Sequence, residues 1–185
     1  MKQIFFILFI LVCLVQLVIP SKMIFDKEDV ISLGHEYKFR TQPIDPYDPF
    51  RGKYVTLYFD ANDYATSDTT VTWERDDDIY VSLAKDSAGF AIIKTISKMP
   101  PVGDDDYVLA KVDYAYEGSI RIDYTFNRFY MEESKAEDAE KQYRNANIFN
   151  SEKKAYAIVS VKKGESALKD VMIDGVSLRV LAGQK

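Results

Sequence analysis

The chain holds one cysteine, one histidine and one tryptophan in 185 residues. Cys13 has no second thiol to meet, so an intramolecular disulfide and a cysteine-based zinc site are both excluded. His35 alone cannot build a histidine-rich metal centre. With no evident serine or cysteine partner, it reads as a surface or packed imidazole rather than a catalyst. An excess of basic charge is missing as well: the formal net charge of -5 argues against nucleic-acid binding. No internal repeat, no low-complexity tract and no cofactor motif stands out. The sequence calls for no metal and no cofactor.

What the chain does have is aromatic residues, 13 Tyr and 11 Phe, which favour strands and supply a core. Its length suits one domain of ordinary size with an accessory segment. That segment is N-terminal. Ile4 to Val15 is wholly apolar, Gln16 interrupts, and Leu17-Val18-Ile19 continue to Pro20. A bilayer-spanning helix needs about 20 residues, so this run is slightly short. The bulky Leu17-Val18-Ile19 lacks the small residues of a cleavage site, which favours an uncleaved signal-anchor over residues 1–20. Leu14 after Cys13 does not fit a lipidation site. Lys2 and the amino terminus precede the span while Lys22 and Lys27 follow it, so the charge bias is nearly balanced. The basic start sets the expected topology: N-terminus inside, residues 21–185 extracytoplasmic.

Past the anchor, Asp26–Val30 reads as a helical turn or a loop. Alternation predicts strands at Glu36–Thr41, Tyr54–Phe59, Ile79–Leu83, Phe90–Ile96, Tyr107–Val112, Ile120–Tyr124, Ala155–Val161, Ala167–Ile173 and Val176–Leu181. A short one is expected at Thr70–Trp73, inside a polar loop from Asp60 to Asp78. In Tyr54–Phe59 the core face is Val55, Leu57 and Phe59. Turns are expected at Lys85–Gly89, near Gly118, at Lys162–Glu165 and at Asp174-Gly175. One helix is expected near 131–145, with Ala136, Ala139 and Tyr143 at helical spacing and acidic residues crowding its first half. The expected fold is mainly β (α+β): a transmembrane helix, then one antiparallel β-rich domain with that single inserted helix.

The most distinctive stretch runs from Pro43 to Tyr58. Pro43, Pro46 and Pro49 stiffen an extended arm, and Asp45 and Asp48 each precede a proline. The chain then turns at Arg51-Gly52 into a strand. Gly52-Lys53-Tyr54-Val55-Thr56-Leu57-Tyr58-Phe59 resembles the Gly-Asp-Tyr-x-x-Leu-x-Tyr motif of the GDYXXLXY family of bacterial membrane-anchored proteins. It departs at Lys53, where that motif has Asp, and at Phe59, where it has Tyr. Asp45-Pro46-Tyr47-Asp48-Pro49-Phe50-Arg51 is similar to the family's lead-in. A second similar region is Arg128-Phe129-Tyr130-Met131-Glu132-Glu133, with Glu140 downstream. The resemblance implies a membrane-anchored protein working beside a multi-pass membrane protein, without an assigned biochemical activity.

Candidate chemistry is modest. Asp45, Asp48 and Arg51 are candidates for a polar site, with Tyr54, Thr56, Tyr58 and Tyr107 as an aromatic surface. Tyr130, Glu132 and Glu133 make a second acidic and aromatic patch, although helix-terminus electrostatics explains the glutamates equally well. Asp76-Asp77-Asp78 and Asp104-Asp105-Asp106 lack the spacing of a calcium loop and read as solvated charge. The expectation is a non-enzymatic envelope protein in the bacterial cytoplasmic membrane, supporting another membrane protein. The alternative is a hydrolase-like enzyme using a carboxylate and Arg51 or the Glu132-Glu133 pair.

Overall fold

The N-terminal apolar run forms a helix that does not stop at Pro20. The computed structural model describes residues 2–42, 54–67, 71–146 and 154–183. Helix α1 spans Lys2–Leu33. Pro20 removes one backbone donor, the one that would serve the Gln16 carbonyl, a loss that a helix can tolerate. Ser21 Oγ adds a bond to the next carbonyl, that of Leu17, at 2.8 Å. Of the two readings for Asp26–Val30, the helical one is found. Gly34 closes α1, its amide donating to the Val30 carbonyl at 3.0 Å. A Cβ at Gly34 would collide with that same oxygen, so the chain reverses there on the smallest residue.

The strands are β1 (His35–Arg40), β2 (Tyr54–Thr56), β3 (Asp63–Ala65), β4 (Asp78–Lys85), β5 (Ala91–Ser97), β6 (Tyr107–Tyr116), β7 (Ser119–Tyr124), β8 (Arg128–Tyr130), β9 (Ala155–Lys162), β10 (Glu165–Ile173) and β11 (Val176–Ser177). Helix α2 covers Glu133–Ala146 and the short α3 covers Leu178–Leu181. A four-stranded sheet runs β1-β9-β10-β11 and a five-stranded sheet runs β3-β7-β6-β4-β5, with β2 and β8 as a separate ribbon. All the paired strands are antiparallel. The sheets meet where Lys38 bridges to Phe90 and where Val108 bridges to Gly164.

Three hairpins share one turn chemistry. Glu117-Gly118, Lys163-Gly164 and Asp174-Gly175 each place both residues at positive φ, from 46° to 88°. Two-residue turns of that hand match the twist of the flanking strands, and glycine carries the second position without strain.

One core lies between the sheets. Val159, Val161 and Val171 reach it from one side and Ile79, Val81, Val108, Ile120 and Ile122 from the other. Phe39, Phe59, Tyr124 and Phe126 form its aromatic centre, with Tyr124 stacked on Phe126 at 4.9 Å. The buried Tyr124 hydroxyl donates to the Ala61 carbonyl at 2.7 Å, which removes the penalty of an unpaired polar group. Val55, Leu57 and Phe59 are buried as their alternation requires. Ala136, Ala139, Tyr143 and Ala146 form the buried stripe of α2.

Four sequence expectations are corrected. The strand at Tyr54–Phe59 ends at Thr56, because the Leu57 amide turns to the Asn127 carbonyl at 2.8 Å and Phe59 pairs with Thr41 instead. Val71–Trp73 is not a strand, and Thr70 lies outside the described residues. The polar stretch from Asp60 hides β3, an edge strand whose short length left no alternation to read. Val176–Leu181 leaves the sheet after Ser177, whose side chain accepts from the Arg179 amide at 3.2 Å and caps α3. A helix beyond the expected one is therefore present in the domain.

Candidate partner-binding surface

Pairing of β2 with β8 brings two separate sequence regions into one surface. Tyr54 stands opposite Tyr130, Val55 opposite Phe129 and Thr56 opposite Arg128. Because side chains alternate along a strand, Val55 and Phe129 enter the core while Tyr54, Thr56, Arg128 and Tyr130 share the other face. The Tyr54 and Tyr130 rings lie 5.5 Å apart, tilted against each other. The Arg128 guanidinium lies 5.1 Å from the Tyr54 ring centre. A hydrogen bond with the Tyr130 side chain, then the nearby phenol groups of Tyr54 and Tyr130, hold the Arg128 guanidinium above its ordinary pKa. Tyr130 is 60% exposed and Tyr58 is 41% exposed. This is an aromatic and cationic face on a ribbon whose reverse side is core.

Other expected residues fall elsewhere. Asp45, Asp48, Arg51, Gly52 and Lys53 lie outside the described residues, just before β2. Glu132 is exposed, precedes α2 and pairs with Lys135 at 3.0 Å, an arrangement that belongs to a helix start. Glu133 opens α2. Tyr107 is not part of the ribbon; its ring lies 5.6 Å from that of Tyr80, in the five-stranded sheet.

The two aspartate runs do not converge. Asp77 pairs with Lys98 at 2.7 Å and Asp78 with Lys111 at 3.0 Å. Asp105 pairs with Lys94 at 2.6 Å. Among the described residues, no three His, Cys, Asp or Glu side chains form a metal-binding group.

Sequence reasoning missed a polar junction. Asp106 accepts from the Tyr37 hydroxyl at 2.9 Å and meets His35 Nδ1 at 2.7 Å. Burial, and then the Asp106 carboxylate, push the Tyr37 hydroxyl far above the usual phenol range. The cluster ties the start of β1 to the start of β6. Nothing local signals it, because the partners are remote in the chain and only the fold joins them.

The family model of the GDYXXLXY protein matches residues 16–171, most of the chain. The chain belongs to the GDYXXLXY family. No curated protein and no solved structure matches it. The GDYXXLXY match starts within α1 and ends within β10, so it takes in both the second half of the apolar helix and the ribbon. The departure at Phe59 now has a physical setting. Phe59 is fully buried among Phe39, Tyr124 and Phe126. A tyrosine hydroxyl there would need a buried partner of its own.

Proposed function

We propose that this GDYXXLXY protein is a non-enzymatic accessory subunit that binds another membrane protein through the exposed face of the β2–β8 ribbon. The observation that carries the reading is the Tyr54–Arg128–Tyr130 cluster. Tyrosine and arginine are the residue types enriched at interface anchors, and here they are pre-positioned on a ribbon backed by core. Asp45, Asp48 and Arg51 directly precede β2 in sequence, and we include them in the same surface. Tyr58, two residues beyond Thr56 and exposed, extends it.

Helix α1 is long and apolar enough to cross a membrane once. In this reading it anchors the chain in the bacterial cytoplasmic membrane with the β-domain outside, following the basic start at Lys2.

Crosslinking in intact membranes followed by mass spectrometry tests the proposal. The native chain is expected to recover one multi-pass protein, lost with Arg51→Ala and with Arg128→Ala. Recovery of the same partner by both variants, or no specific partner for the native chain, would overturn it.

A further inference from the structure

The end of the apolar surface on α1 and the first contacts of the domain almost coincide. Met23, Ile24 and Phe25 are 65%, 69% and 73% exposed, so the apolar cylinder continues past Pro20 to Phe25. Ile4 to Phe25 is about 22 residues, or about 33 Å of helix, which covers a hydrocarbon core of about 30 Å. Lys22 sits inside this length, but its ammonium reaches Asp26 at 2.6 Å and so snorkels toward the polar side. The next turn is already docked. Lys27 pairs with Glu165 at 2.6 Å and donates to the Ser166 carbonyl at 3.3 Å, Lys162 pairs with Asp29, and Val30 is buried. From Phe25 to Asp29 the helix rises about 6 Å. The headgroup layer is about 5–8 Å thick on each side of a bilayer. The tip of the β9–β10 hairpin is therefore held at headgroup depth.

At that depth lies an open groove of about 450 Å³ between helix and hairpin, lined by Met23, Asp26, Lys27, Asp29 and Val30 on the helix and by Lys162, Lys163 and Glu165 on the hairpin. Its three carboxylates are each paired with a lysine, Asp26 with Lys22, Asp29 with Lys162 and Glu165 with Lys27, so those charges offset one another. Lys163 is exposed and forms no ion pair among the described residues. Its backbone is fixed in the left-handed region at φ 49°, and the turn is pinned because the Leu109 amide donates to the Gly164 carbonyl at 2.9 Å. A lysine unpaired among the described residues, on a pinned turn across from Met23 at headgroup depth, is suited to a phosphodiester with its acyl chains running down the helix.

We infer that this groove binds a phospholipid headgroup, with Lys163 contacting its phosphate and Met23 the start of the acyl chains. The inference rests on α1 spanning the bilayer and is independent of which side the domain faces.

The test uses the full chain reconstituted in vesicles containing phosphatidylethanolamine with a photoreactive headgroup. Adducts are expected on the peptides around residues 22–29 and 162–166. Lys163→Asn, which suits the left-handed backbone, lowers their yield about tenfold, as loss of a charge-assisted hydrogen bond predicts. Lys163→Arg retains labelling, and so does Lys154→Ala at the far end of β9. Equal labelling of Lys163→Asn and the native chain, or adducts confined to other regions, overturns the inference. Carbonate extraction separates the two levels. A chain that stays inserted but unlabelled at the hairpin overturns the headgroup site alone, whereas an extracted chain overturns the spanning reading and this inference with it.

Discussion

Tyr54 and Tyr130 face each other across β2 and β8, far apart in sequence yet with ring centres 5.5 Å apart. Their contact makes one surface out of two segments that both lie within the GDYXXLXY family match. Cross-strand aromatic pairs of this kind contribute about 0.5–1 kcal/mol beyond their separate burial. A double-mutant cycle with Tyr54→Leu and Tyr130→Leu, followed by urea unfolding, is expected to return a coupling of that size. Strict additivity would show that the rings only sit near each other.

Arg40 joins the two sheets through the turn after β4. It pairs with Asp86 at 2.8 Å and lies 4.1 Å from the Phe90 ring centre, while Asp86 accepts from the Ala88 and Phe90 amides at 2.9 Å each. The Phe90 amide is the largest cause holding the Asp86 carboxyl below its ordinary range, with the Ala88 amide and Arg40 adding to it. A depressed folded pKa contributes stability that is complete above the unfolded value of about 3.9 and is lost as pH falls through the lower folded value. The stability difference between the native chain and Asp86→Asn, from urea midpoints, should therefore be constant near neutrality and shrink below about pH 4. A difference that grew on acidification would contradict this assignment.

Gly34 is the point where the apolar helix hands over to the sheet. A Cβ there would meet the Val30 carbonyl and, at 3.0 Å, the Val161 carbonyl. Both are backbone atoms with little room to yield. Gly34→Ala is expected to destabilise the domain by about 1–3 kcal/mol, as overpacking does elsewhere. Thermal unfolding in detergent checks this, and an unchanged midpoint would mean that α1 is not seated against β9.

Phe59 tests whether the last motif position is structural. Its ring contacts Phe39, Tyr124 and Phe126 in the centre of the core. Phe59→Ala should cost about 3–5 kcal/mol in urea unfolding. A loss below about 1 kcal/mol would remove Phe59 from the group of residues that hold the fold.

Gly164 meets Tyr107 and Leu109 so closely that a Cβ would lie 2.7 Å from the Tyr107 ring. Its φ of 88° is also unfavourable for any other residue. Gly164→Val is expected to lower stability by more than 1 kcal/mol and to detach the hairpin from β6, read as faster amide exchange at Leu109.

The apolar helix, the strand alternation, the turn positions and the helix near 131–145 are legible from neighbouring residues alone, because periodicity and turn chemistry are local. Val55, Leu57 and Phe59 were assigned to the core from a period of two, and Ala136, Ala139 and Tyr143 from a period near 3.6. Tertiary structure decided what remote segments do to each other. It ended β2 at Thr56 by offering Leu57 a carbonyl from Asn127, and it placed Tyr130 beside Tyr54. It joined His35 and Tyr37 to Asp106, and it carried α1 past Pro20 to Leu33 by docking its last turns on β9 and β10. Local pattern sets which face of an element is apolar; which partner covers that face, and where a freed backbone group finds its hydrogen bond, depends on atoms that only the folded chain brings within reach.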